Sequence, residues 1–302
     1  MEKMLSKPDL YIIVIGIIMG TVARCITLRI DYRQIPSYPS AYFNNIVMGF
    51  IASALGAIAI PAILTGDFVS ITFLTVAVQQ FREIRKTEGE SLRSLEHTEY
   101  TQRGDAYIDG IAKTFESRNY ICMVTALISV LAMKIINSKS LLLLIPCGVI
   151  TGTIALFLLY RFTKGKTIGD ICTIRNGSIE VKGSELYVDG IFVANTLGTD
   201  KSRELFTNDG VAVVIEPKRP LGRLTLENYG QRQAILFDSI KALGVRRYKF
   251  TRRNFESGGV IVTFVPIFKD SQLLIDTVAH TPVLENSRKV GRMMETSGRN
   301  KL

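Results

Sequence analysis

Two aspartates, Asp31 and Asp109, are the residues of this 302-residue chain from which catalysis could be built. Carboxyl groups held close together do not both ionise easily. One keeps its proton while the other activates water for attack on a peptide carbonyl. Arg29, Arg33 and Arg103 stand nearby in sequence, and a carboxylate beside a guanidinium stays ionised, which suits a structural ion pair better than proton sharing. Asp189-Gly190 and Asp209-Gly210 offer further acids. Neither has the Asp-Thr-Gly or Asp-Ser-Gly form of pepsin-like sites, and both read as hairpin turns.

Other chemistries are limited by the residues present. The two histidines, His97 and His280, exclude a His-Glu-x-x-His zinc site and are the only bases open to a Ser-His-Asp triad. Cys25, Cys122 and Cys147 lie in or beside hydrophobic runs and Cys172 stands alone, so neither a disulfide frame nor a metal knuckle is implied. Gly165-Lys166-Thr167 invites a phosphate-loop reading, yet the first glycine of that motif would fall at Tyr160, after a membrane helix rather than a strand. No cofactor or metal is expected.

The elements that must position these acids are unevenly apolar. Hydrophobic runs cover residues 10–28, 43–64, 67–81, 120–136 and 140–160. Those at 43–64 and 140–160 reach the roughly 20 residues that cross a hydrocarbon core about 30 Å thick. The run at 10–28 is interrupted only by Arg24, which can snorkel to the interface, and 120–136 is short. Residues 1–9 mix acids with lysines and no small-residue cleavage pattern follows, so the first run is expected to remain as a span rather than to act as a secretory signal.

Lysines and arginines in short loops stay in the cytoplasm, which orients the spans. Arg29 and Arg33 follow the first run, seven bases from Arg82 to Arg118 fill the connection 82–119, and Arg161, Lys164 and Lys166 follow the last run. If 67–81 crosses, five spans gather all three basic groups on one side, with the N-terminus outside and the C-terminal domain cytoplasmic. Asp31 and Asp109 then share the cytoplasmic face. A re-entrant 67–81 would leave four crossings and strand Arg29 and Arg33 outside, so five are predicted. Gly16 and Gly20, and Gly49, Ala52, Gly56 and Ala59, place small residues three or four apart for close helix packing. Arg24 and Lys134, each near a span end, are weak support for a transport pathway. The net charge of +10 follows the spans and is interleaved with acids, as at an anionic leaflet, and no reading motif for nucleic acid is present. Membrane lipid, not nucleic acid, is the expected partner.

The expected architecture is an α-helical membrane bundle over residues 1–164, with about five transmembrane helices and a cytoplasmic helical connection at 82–119, followed by a soluble α+β domain over 165–285 and a disordered basic tail over 286–302. In the connection, Tyr107, Ile108, Ile111, Ala112 and Phe115 make one apolar stripe at helical spacing. In the soluble part, Asn176-Gly177 and Asp189-Gly190 predict hairpin turns between strands in 173–181 and 186–193. A strand over 211–215, a helix over 224–243 closed by Gly244, strands over 245–250 and 259–268, and a helix capped by Asp270 complete the reading.

The segment Tyr107-Ile108-Asp109-Gly110-Ile111-Ala112 resembles the signature of the YIEGIA family, with Asp109 in place of the usual Glu. The residues from Asp31, Tyr32 and Arg33 through Pro36 to Pro39, together with 54–62, 80–82 and 115–120, look like the same family, so the likeness covers most of residues 15–122. The C-terminal half is similar only in length and general character. This resemblance implies a multipass membrane protein of endospore-forming bacteria, associated with sporulation and with small proteins that cap or restrain it. It implies the membrane core of a complex controlling other spore membrane proteins, as an aspartyl-type protease with Asp109 and Asp31 as its acids or, alternatively, as a non-enzymatic scaffold for cytoplasmic partners.

Overall fold

The computed structural model describes residues 7–31, 39–66, 68–136 and 140–287. Its contacts divide the chain into two compact units. One takes the described residues up to Ser91 together with Ile111–Lys164, and the other takes Leu92–Gly110 together with the described residues from Gly165 onward.

The first unit is a helical bundle. Its helices are α1 (Lys7–Asp31), α2 (Pro39–Thr65), α3 (Phe68–Leu95, the last turn in the other unit), α4 (Asp105–Ile136, in this unit from Ile111) and α5 (Leu141–Thr163). Four stretches, Asp9–Leu28, Tyr42–Leu64, Asp105–Ile136 and Leu141–Thr163, are long and apolar enough to cross a membrane. The expected fifth, 67–81, does not stand as a separate apolar element. It forms the first half of α3, whose second half is charged, so no window of that helix is sufficiently apolar.

Small residues fix how these helices meet. Gly16 of α1 lies against Ala57 of α2 and Val130 of α4, and Gly20 against Ser53 of α2 and the Cys122 carbonyl of α4. Residue numbers therefore fall along α1 as they rise along both α2 and α4. Helices α2 and α4 run in the same direction, antiparallel to α1. Ile15 and Met19 of α1 meet Gly148 and Gly152 of α5, so α1 and α5 are parallel. On α3, Phe81 packs edge-on against Tyr120 (6.3 Å between ring centroids) and Arg85 pairs with Glu116 at 3.1 Å, which makes α3 antiparallel to α4. The bundle alternates direction through all five helices.

On α5 the inward positions are Leu144, Gly148, Gly152, Ala155 and Leu156, whereas Leu142, Phe157 and Phe162 are 85%, 65% and 91% exposed. Large apolar side chains outside and small ones inside is the arrangement of a helix packed in lipid.

Arg24 departs from expectation. Instead of snorkelling to the interface it is 1% exposed. Its stem lies across Gly49, its Nη2 and Nε donate to Asn45 Oδ1 (2.5 Å) and Asn45 O (3.2 Å), and its guanidinium stacks 5.3 Å from the Phe115 ring centroid. The missing side chain at Gly49 is what lets α1 and α2 bury it. At the other end of the bundle Lys134 pairs with Asp9.

The second unit is an α+β domain with a central antiparallel sheet ordered β1 (Cys172–Asn176), β5 (Val211–Pro217), β7 (Val260–Val265), β6 (Arg247–Arg253). Along β5, Val211, Val213 and Ile215 face one core with α8 (Pro220–Glu227), α9 (Tyr229–Leu243) and α10 (Ser271–His280), while Ala212 and Val214 face another. The second core is closed by a sheet of β2 (Ile179–Lys182), β3 (Glu185–Val188) and β4 (Ile191–Ala194) and by α7 (Asp200–Asp209). Strands β5 and β7 are buried on both faces, hence their near-continuous apolar sequences.

The turn at Asp189-Gly190 joins β3 to β4 as expected, both residues having positive φ (51° and 76°). Asn176-Gly177 does not make a hairpin. β1 pairs with β5 and β2 with β3, and Gly177, whose N–H donates to Ala212 O at 3.0 Å, presses against Val188 and Val214 as the chain passes from one sheet to the other. The β2–β3 turn is instead Gly183-Ser184, with Gly183 at φ 62°. Asp209-Gly210 ends α7 rather than a hairpin, and the helix expected over 224–243 is split by Asn228, whose Oδ1 accepts from Gln231 N (3.1 Å) to cap α9. Asp270 caps α10 by accepting from Leu273 N at 2.9 Å. The tail predicted from residue 286 lies, from 288, outside the described residues.

A Cβ on Gly56 would collide with the backbone carbonyl of Met123, which no rotamer change relieves. Gly56→Val should therefore destabilise the bundle by about 1–3 kcal/mol through overpacking, read as a lower Tm in detergent. At Gly66, where nothing lies within 4 Å, substitution by alanine is strained only by its φ of 65° and should cost less.

Candidate functional site

The hexapeptide Tyr107–Ala112 opens α4, and the division between the two units falls inside it, after Gly110. Its start is fixed by a turn with no apolar content of its own. Gly104 has φ 85°, and the Glu96 carboxylate accepts from Arg103 N (3.0 Å) and Gly104 N (3.1 Å), holding residues 96–104 as a closed loop. Arg103 donates to Glu99 (3.0 Å) and stacks 5.0 Å from the Phe237 ring centroid.

Along this loop the chain lies on α9 and β6. Gln233 Nε2 donates to Gln102 O at 2.5 Å, and Lys249 Nζ donates to Tyr100 O (3.0 Å) and Thr101 Oγ1 (2.7 Å). Burial pushes the Lys249 ammonium below its ordinary pKa. Gly230 abuts Ala106, where a Cβ would stand 2.9 Å from that of the alanine. Tyr107 then turns its ring edge-on to Phe237 (6.1 Å) and donates its phenolic O–H to the Asp238 carboxylate at 2.9 and 3.1 Å.

Within the signature, Tyr107, Ile108 and Ala112 are buried, while Asp109, Gly110 and Ile111 are half-buried. Three of its six residues are thus spent on packing or on a hydrogen bond. Asp109 is not free but has a partner of its own. Asp31 is the last residue of α1 in the helical unit and its side chain lies outside the described residues, as do Tyr32, Arg33 and Pro36. Asp31 and Asp109 belong to different units.

The other acids considered from sequence have structural partners. Asp189 accepts from Ser178 N (2.7 Å) and pairs with Arg175, and Asp209 pairs with Arg246 at 3.0 Å. Thr167, which would close a phosphate loop, instead caps the short α6 (Ile168–Ile171) in a reciprocal box with Asp170. Among the described residues no cluster of three His, Cys, Asp or Glu is arranged to hold a metal ion. Sequence reasoning missed Phe237 and Asp238, which stand over 125 positions from their partners in the loop.

Removing the Tyr107 hydroxyl leaves an aspartate short of one donor, at a cost of about 2 kcal/mol for a hydrogen bond to a charged group. Tyr107→Phe should raise amide hydrogen exchange over residues 100–110 while β5 and β7 stay protected. Equal loosening of both regions would mean that the bond is not local to this joint.

The family model described as YIEGIA protein matches residues 12–293, which takes in the soluble domain as well as the helical unit. The chain is 36% identical over 285 residues to the uncharacterized protein YphB of Bacillus subtilis (strain 168), covering 92% of this chain and 93% of that one. No solved structure matches. With a family match over nearly its whole length and a relative aligned end to end, this chain belongs to the YIEGIA family.

Proposed function

We propose that the protein is the membrane core of a sporulation complex, working as a scaffold in which α4 ties the membrane-crossing helices to the domain that holds cytoplasmic partners. The observation that carries this reading is the use made of the signature: its tyrosine is committed to Asp238, its Ile108 and Ala112 are buried, and the one helix that bears it contributes to both units. The sporulation setting rests on the family resemblance and on the relative in Bacillus subtilis.

A crossing by α3 belongs to this reading. Helices α2 and α4 run in the same direction, so the chain must return across the layer between Thr65 and Asp105, and 28 residues of helix extend about 42 Å, enough to do so. Five crossings put the basic residues after α1, α3 and α5 on one face, with the N-terminus outside and the soluble domain in the cytoplasm. Epitopes inserted at residue 105 and after residue 302 should both be shielded from impermeant reagents in intact cells, and one at the N-terminus should react. Opposite accessibility of the first two ends the topology.

The second reading is an aspartyl-type membrane protease acting on other spore membrane proteins, favoured by the half-buried acid within the signature. The two readings separate in spores carrying Asp109→Asn or Asp31→Asn alone. A scaffold should keep wild-type turnover of other membrane proteins in both and should co-purify from detergent with stoichiometric partners, including small capping proteins. Accumulation of a substrate in either variant, with partner binding intact, selects the protease.

A further inference from the structure

The soluble domain displays two aromatic side chains in water beside arginines. Phe255, 62% exposed, sits in a loop that is built rather than slack: Asn254 Oδ1 accepts from Glu256 N at 2.9 Å, Gly258 N donates to Asn254 O at 2.9 Å, and Gly258 takes φ 70°. Arg223 crosses Gly258 and donates to Phe255 O at 2.7 Å, while the Arg253 guanidinium stacks 4.9 Å from the Phe255 ring. Tyr229, 72% exposed at the start of α9, is overlain by Arg232 at 5.9 Å. Glu227 pairs with Arg253 and Glu256 follows Phe255 in the loop, leaving three arginines against two acids. Burial, then the Arg253 charge, pushes Arg232 below its ordinary pKa, as expected where cations crowd.

The position of this patch in the domain identifies what covers it. Gly230, next to Tyr229, touches Ala106 in the first turn of α4 and Leu284, and Leu284 touches Gly110, the residue at which the chain leaves this domain. Val283 N donates to Lys166 O at 2.9 Å, just where the chain enters the domain from α5. The patch therefore stands beside both points at which the domain is tied to membrane helices, and only residues 164–167 separate α5 from α6.

We propose that Tyr229 and Phe255, framed by Arg223, Arg232 and Arg253, rest in the headgroup layer of the anionic bilayer that the helical unit crosses. Aromatic rings with one wet edge favour that layer, and each nearby arginine gains from anionic headgroups. The proposal rests on the membrane reading of the helical unit.

The chain contains no tryptophan, so single substitutions report alone. The full-length protein carrying Phe255→Trp, in nanodiscs of phosphatidylglycerol, should emit to the blue of a water-exposed indole and lose that emission when the acyl chains are brominated. Phosphatidylcholine discs, or high salt, should return it towards the aqueous position. Tyr229→Trp should behave alike and stands in if the first variant does not fold. Ile267→Trp, 74% exposed in the native side chain and beyond the opposite end of β7, should stay aqueous and unquenched. Water-like, unquenched emission at 255 and 229 in phosphatidylglycerol overturns the proposal. So does a blue shift without bromolipid quenching, which would place a second copy of the chain there, or equal quenching in both lipids. Phe157→Trp, on the outward face of α5, separates the two levels: quenching there alone sinks the patch and keeps the membrane reading, and its absence sinks both.

Discussion

Gly56 lies against the Met123 carbonyl with no room for a β-carbon, and this is the closest of the small-residue approaches by which α1, α2 and α4 meet. The half-polar α3, which does not pass as a span by composition, runs antiparallel to α4, on which Phe81 meets Tyr120 and Arg85 meets Glu116. Small residues supply the contact because lipid gives apolar side chains no reason to leave it, and backbone approach then provides the packing energy.

The same closeness explains the burial of Arg24. A guanidinium inside a bundle is costly unless its donors are met, and Asn45 meets Nε and Nη2 with a backbone and a side-chain oxygen while Phe115 offers a π face. Gly49 vacates the space for the arginine stem. From sequence alone an arginine four residues from the end of an apolar run is free to snorkel, because nothing local shows that a glycine and an asparagine on the following helix are positioned to hold it.

Legibility followed the range of the interaction that decides each element. Four of the five expected spans, the Asp189-Gly190 turn and the Asp270 cap are settled within a few residues, and the sequence expectations for them agree with the structure. Asn176-Gly177 has equally good turn chemistry, but β1 finds its partner in β5, beyond a three-stranded sheet and a helix, so a local signal could not decide it. Helix α7 escaped because its sequence is almost wholly polar and its only strong local mark is the Thr199–Ser202 box. At the candidate site the hexapeptide itself was legible, whereas the residue that receives its tyrosine could be found only by folding α9 onto the loop.

That contact bears on what the signature is for. A carboxylate that shares a proton with another needs freedom from cations, yet in the soluble domain Asp189, Asp209, Glu216 and Glu227 each have an arginine within ion-pair reach. Such exposed pairs add little stability. Asp238 in addition takes the Tyr107 phenol, a neutral donor. Tyr107, Ile108 and Ala112 of the hexapeptide are taken up by packing, at the point where one continuous helix passes from one unit to the other. Asp109 is the one carboxyl group within the motif, so an aspartyl reading of the hexapeptide would rest on it alone.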